Sequence, residues 1–137
     1  MMLEWLLPYT MTVWAMGIMG GLILVQLLVA DLAGVGAGHV PGAAVTGGHE
    51  SFFFRATRAH ANTTESVAAF ILLALFGILH NAAPWWLNAC AIVYVAARLG
   101  HMLSYYAGIG TLRSVAFVVA FLALVGMLIS GVMAPLR

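Results

Sequence analysis

Arg55, Arg58, Asn62 and Glu65 recur at intervals of three and four residues. Successive side chains on an α-helix are about 100° apart, so these four fall within an arc of about 80°. The residues that follow, 67–79, are apolar apart from one glycine. Charge on a helix of that kind is costly in lipid and faces a bundle interior, a polar cavity or a ligand. A second set, Arg98, His101 and Tyr105, also shares one helical face, within an arc of about 60°. Arg113 and Ser114 form a third, directly after the turn-forming residues 107–110. Four arginines facing one glutamate suit an anionic ligand. At a helix N-terminus, free backbone N–H groups and the helix dipole reinforce Arg113 as an anion site. The anion there could be a carboxylate, a phosphate or a thiolate. A free thiol ionises near pH 8.5, and such surroundings lower its pKa into the neutral range.

Composition restricts what can position these groups. The chain has 137 residues, of which 64% are hydrophobic and 7% charged, and a mean hydropathy of +1.08. That much apolar surface calls for an integral membrane protein. A formal net charge of +1 argues against nucleic acid as a partner. The single cysteine, Cys90, excludes an internal disulfide and reads as a packing residue in an apolar run. No basic segment or small-residue cleavage pattern opens the chain, so its first apolar segment reads as a retained span.

Taken in order, residues 1–10 hold Glu4, Trp5, Pro8 and Tyr9, a mixture suited to a membrane interface. Span one is expected over about 11–30, with Gly17, Gly20 and Gly21 permitting close helix approach. Residues 31–50 read as a glycine-rich loop in which His39 and His49 are incidental, since no further ligand pattern accompanies them. Span two is expected over about 53–79 and span three over about 85–106, with Trp85 and Trp86 at the far interface. Thr111 is the expected N-cap of span four, over about 112–133. Pro135 and Arg137 close the chain.

Four spans with short connections predict a single-domain, all-α, up-down four-helix bundle covering residues 1–137. The first and third loops then emerge on one side of the membrane. Arg55, Arg58, Asn62, Glu65, Arg98, His101, Tyr105, Arg113 and Ser114 all lie at that level. The other side carries Glu4 and Arg137 as its charged side chains. The positive-inside rule puts the arginine layer in the cytoplasm and both termini outside. The competing structural reading has the arginines pair with Glu65, Asp31 and lipid headgroups, and merely anchor the bundle. A transporter is disfavoured, because the opposite half offers no polar path beyond Gln26, Asn88 and His80.

The ordered set Arg58-Ala59-His60-x-Asn62-x-x-Glu65, then Arg98-x-x-His101-x-x-x-Tyr105, then Arg113-Ser114, resembles the MAPEG family, the membrane-associated proteins in eicosanoid and glutathione metabolism. The resemblance implies a homotrimer with glutathione as co-substrate, bound between subunits near the cytoplasmic face. Carried over by position, it implies that Arg58, Asn62 and Glu65 hold the glutathione backbone. His101 and Tyr105 would line the same pocket, Arg113 would stabilise the thiolate, and Ser114 would donate a second hydrogen bond to sulfur. Arg55 joins the binding layer by position, and Arg98 is read equally as a ligand or a structural pairing residue. His60 lies roughly 200° from Arg58 and is assigned to packing or a subunit contact. Many relatives carry a basic residue near the end of span one, where this chain has Asp31 and a glycine-rich loop; that argues against eicosanoid synthesis. Abundant alanine and glycine, arginine without lysine, and short loops point to a bacterial member in the inner membrane.

The expected function is therefore a membrane-bound glutathione transferase or peroxidase that presents a thiolate to lipophilic electrophiles arriving from the bilayer. It would need no metal. The alternative is a non-catalytic membrane protein, either a lipid-headgroup binder or a subunit of a larger assembly.

Overall fold

In a computed structural model, residues 4–134 are described; the expected chain end at Pro135 and Arg137 lies outside them. A short 3-10 segment, Glu4–Tyr9, leads into α1, Thr10–Gly36. Three further helices follow: α2 at Phe52–Leu79, α3 at Pro84–Ala107 and α4 at Gly110–Val132. Each is long and apolar enough to cross a membrane. Together they form an all-α four-helix bundle, and the protein is an integral, multi-pass membrane protein. The helices α2 and α3 are central: α1 packs on both from one flank and α4 on both from the other.

The helix ends follow from local chemistry. Ser51, with extended backbone, opens α2 by accepting the Phe54 amide on its side chain at 3.4 Å. Pro84 opens α3, where its missing N–H is no loss. Gly108 ends α3 in the left-handed conformation (φ 74°), which a side chain would resist. That turn sends the Ile109 amide back to the Ser104 carbonyl at 2.9 Å and starts α4 one residue later.

Two expected boundaries are corrected. Span one does not end at Ala30: α1 continues to Gly36, so Asp31 is helical. Nothing in residues 31–36 breaks a helix, and Gly34 lets it continue against α2. A Cβ on Gly34 would meet the Phe53 ring at 3.0 Å. Thr111 is not the N-cap of α4; that position is Ile109, which offers no side-chain cap.

Inside the bundle, buried alanines such as Ala56, Ala59, Ala74, Ala91 and Ala120 allow close packing. Phe70 and Tyr94 stack at 4.4 Å and 12°, both fully buried, and the Tyr94 hydroxyl meets that of Ser66 at 2.8 Å. A side chain on Gly77 would strike Leu87 at 2.8 Å, so that glycine sets the α2–α3 distance. The glycines singled out in α1 do not serve this purpose within the chain. Around Gly17, Gly20 and Gly21 nothing lies within 4 Å of where a Cβ would stand.

The end of the bundle away from the arginines is closed by neutral hydrogen bonds. Tyr9 donates its hydroxyl to the Ala82 carbonyl at 2.7 Å. Asn88 Oδ1 accepts from both the amide and the hydroxyl of Thr12, and its Nδ2 donates to the Pro8 carbonyl at 2.8 Å. Trp86 Nε1 donates to the Gly126 carbonyl at 3.1 Å. An Asn88→Leu variant keeps the volume but strips three hydrogen bonds from the start of α1. It should lower unfolding stability in detergent by about 1–3 kcal/mol, read as an earlier thermal transition; an unchanged transition would show that packing alone holds α1 there.

Candidate functional site

The polar stripe of α2 divides between three environments. Asn62 turns towards α3, where Arg98 is buried to 1% exposure. The Arg98 guanidinium donates to Asn62 Oδ1 at 3.0 Å and also to the Asn62 backbone carbonyl. A charge at that depth must be satisfied by protein, and this pairing does so. Arg98 is thus an internal strut for Asn62. Its position leaves the Asn62 amide NH2 as the group able to donate to a ligand.

Arg55 is also engaged. Its Nη1 donates to the His49 carbonyl at 2.6 Å and to the Glu50 carbonyl at 3.1 Å, and its Nη2 reaches the Tyr106 carbonyl at 3.4 Å. One guanidinium therefore ties the α1–α2 loop, the start of α2 and the end of α3 together. Within that loop Glu50 Oε1 accepts the Gly48 amide at 2.8 Å. Backbone hydrogen bonds from its own amide and that of Gly48 hold the Glu50 carboxyl below its ordinary value of 4.5. The Glu50–Gly48 contact is therefore intact at neutral pH and is lost as acid titrates the carboxylate through that lowered value.

Arg113 stands at the free end of α4. Its guanidinium lies over the Tyr105 ring at 4.8 Å, a cation–π contact. Its Nη1 is 3.4 Å and 3.5 Å from the two ring nitrogens of His49. Two small clefts meet at this pair. One, about 170 Å³, is lined by His49, Arg55, Tyr105, Ile109, Gly110 and Arg113. The other, about 250 Å³, is lined by Asn62, His101, Tyr105, Arg113, Ser114 and Phe117. His101 is buried and sits edge-on to Tyr105 at 5.0 Å, with its Nδ1 unpartnered among the described residues. Ser114 turns its hydroxyl to the Gly110 carbonyl at 3.2 Å.

Five expected site residues thus share one cleft: Asn62, His101, Tyr105, Arg113 and Ser114. Arg55 lines the adjoining one. Arg98 is behind them. Arg58 and Glu65 are exposed on α2, and Arg58 borders a separate groove with Val45, Phe54, Thr57 and Ala61. His60 lines a further groove with Asp31, His39 and Phe53. His49, expected to be incidental, instead lies at the exposed edge of the site, edge-on to Phe54 at 5.3 Å and stacked with Tyr105 at 6.2 Å. The sequence offers one signal for this: His49 lies close before Ser51, the cap of the helix bearing the stripe. Among the described residues no group of three histidine, cysteine, aspartate or glutamate side chains could hold a metal ion.

These placements separate the arginines by experiment. Arg98→Met removes the partner of Asn62 Oδ1 and leaves Asn62 unbraced against α3, and should cost about 2–4 kcal/mol of stability. Arg58→Ala, at an exposed position, should change stability by no more than about 0.5 kcal/mol. Thermal unfolding of both variants in the same detergent is the measurement, and equal losses would contradict the assignment of Arg98 as the internal strut.

The sequence profile of the MAPEG family matches residues 11–133, nearly the whole chain. No curated protein and no solved structure matches it. The family includes both glutathione-dependent enzymes and members without catalytic activity. The matched segment takes in all four membrane helices and every residue of the arginine-bearing clefts, and the chain belongs to the MAPEG family.

Proposed function

We propose that the protein is a membrane-bound glutathione transferase, with peroxidase activity as a second use of the same thiolate, acting on lipophilic electrophiles from the bilayer. The observation that carries this reading is the single cleft lined by Asn62, His101, Tyr105, Arg113 and Ser114. Across Arg113 and Tyr105 it adjoins the smaller cleft at the start of α4, where the N-cap residue Ile109 supplies no side-chain acceptor. The first-turn amides of α4 and the Arg113 guanidinium attract an anion from the same direction. Glutathione fits that character: it supplies carboxylates for cationic donors and a thiol that becomes the nucleophile once ionised.

In this mechanism the chain's residues act electrostatically. Arg113 holds the sulfur as thiolate, while Tyr105 supports the guanidinium from below through its ring. Asn62, braced by Arg98, donates its amide to the tripeptide. Ser114 joins if its hydroxyl swings from the Gly110 carbonyl to sulfur. Arg58 and Glu65 extend the site along α2, taking a carboxylate and the amino group respectively.

The size of the cleft supports completion of the site by a neighbouring subunit, which the family resemblance implies is one of a homotrimer. Ligand sites usually enclose roughly 300–1,000 Å³, and the cleft on one chain is about 250 Å³ and open. Arg58 and Glu65 face outward from a single subunit, where a neighbouring copy would bring them to the ligand. The unoccupied glycine face of α1 is compatible with such a neighbour. The arginine-rich end is placed in the cytoplasm, and the membrane is taken to be a bacterial inner membrane.

A specific observation also favours the anchoring alternative: Arg55 and Arg98 are both engaged in contacts within the chain. Two measurements decide. Conjugation of glutathione to a dinitrohalobenzene should fall about 100-fold in Arg113→Ala, the loss typical of removing one donor to a developing anion; equal rates would remove Arg113 from the mechanism. Calorimetry of the detergent-solubilised protein should give saturable glutathione binding, and no heat at millimolar ligand would favour the non-catalytic alternative.

A further inference from the structure

The residue that the function above leaves unassigned is His49. It comes from a loop, yet three helices converge on it. Phe54 of α2 meets it edge-on, Tyr105 of α3 stacks on it, and Arg113 of α4 touches both its ring nitrogens. Arg55 clamps its backbone carbonyl at 2.6 Å. The titratable or charged groups facing it are therefore Arg113, Tyr105, Arg55 and the neighbouring Glu50. An arginine can only donate, so a ring nitrogen that meets it does so through its lone pair.

We propose that His49 is the base that takes the proton from the thiol bound at Arg113. The proposal rests on the glutathione reading above and adds to it the group that ionises the sulfur. The first cleft is lined by His49, Tyr105 and Arg113 together. Arg113 borders this cleft as well as the one holding Ser114, so a sulfur on the His49 side of its guanidinium faces the imidazole. In the step, the S–H bond breaks and its electron pair stays on sulfur, giving a thiolate on Arg113. The proton forms an N–H bond on the lone-pair nitrogen of His49, giving imidazolium. The thiolate beside both cations offsets their mutual repulsion, and the Glu50 carboxylate lies next in the chain. His49 is exposed, so the imidazolium returns its proton to bulk water before the next cycle. His101 cannot do this as readily: it lies on the other side of Tyr105 and is 2% exposed. A base must meet the thiol and also discharge to solvent, and His49 satisfies both conditions.

The test uses the full chain in detergent, mixed with glutathione alone and no electrophile. Thiolate formation is followed by its ultraviolet absorbance in a stopped-flow instrument, and proton release by an indicator dye. His49→Gln should slow both signals about 100-fold, within the usual range for general-base catalysis, while calorimetric affinity for glutathione stays within about threefold. Imidazole added to His49→Gly should restore the rate in proportion to its concentration. The wild-type rate should exceed that of His49→Gln at neutral pH, and the gap should narrow in alkali as hydroxide replaces the missing base. A wild-type rate of thiolate formation in His49→Gln overturns the proposal. So does loss of glutathione binding in that variant alone, which would make His49 a structural contact. Failure of the wild-type protein to bind glutathione at all would bring down the underlying reading as well, and is told apart by that first titration.

Discussion

A guanidinium between membrane-crossing helices has no water to satisfy it, so the protein must supply acceptors or bear a cost of several kcal/mol. Arg98 meets that constraint by donating to both oxygens of Asn62. The bond fixes more than one charge. It sets the register of α3 against α2, the same register in which Ser66 meets Tyr94 and Tyr94 stacks on Phe70. With that register set, His101 and Tyr105 follow one and two turns further along α3, facing the end where α4 begins. The Gly108 turn then brings Arg113 back over Tyr105. The cleft is thus the outcome of a buried pairing one layer deeper.

The four arginines consequently do different work despite similar sequence surroundings. Arg98 is interior, Arg55 bridges backbone carbonyls of a loop and a helix end, Arg58 is exposed, and Arg113 borders both clefts. Division of this kind is typical where charge is scarce: each residue that must stay in the layer also needs acceptors, and those not aimed at a ligand find them on main chain.

Much of this was legible beforehand. The apolar runs and their lengths specify four membrane helices, and the order of motifs specifies the family. Helix periodicity also puts Asn62, His101, Tyr105 and Arg113 at one level. What spacing does not convey is which neighbour a side chain meets. Arg55 and Arg58 lie on one stripe, yet one turns to the Tyr106 carbonyl and the other stays exposed, because only Arg55 is next to the end of α3. The α1 boundary was misread because glycine and one aspartate look like loop chemistry, although α1 needed only a notch at Gly34 to continue beside Phe53. His49 was opaque for a related reason. A loop residue has no periodicity, and its place is decided by Arg55 gripping its carbonyl and by the rings on either side.

The two ends of the bundle are fastened by unlike bonds. At one, Tyr9, Thr12, Asn88 and Trp86 are joined through uncharged donors and acceptors; at the other, Arg55, Arg98 and Arg113 each make contacts through a guanidinium. Dissolved ions weaken exposed charged contacts far more than neutral ones. Ionic strength therefore acts on the end bearing Arg55 and Arg113, and leaves the neutral clasps of the opposite rim almost untouched.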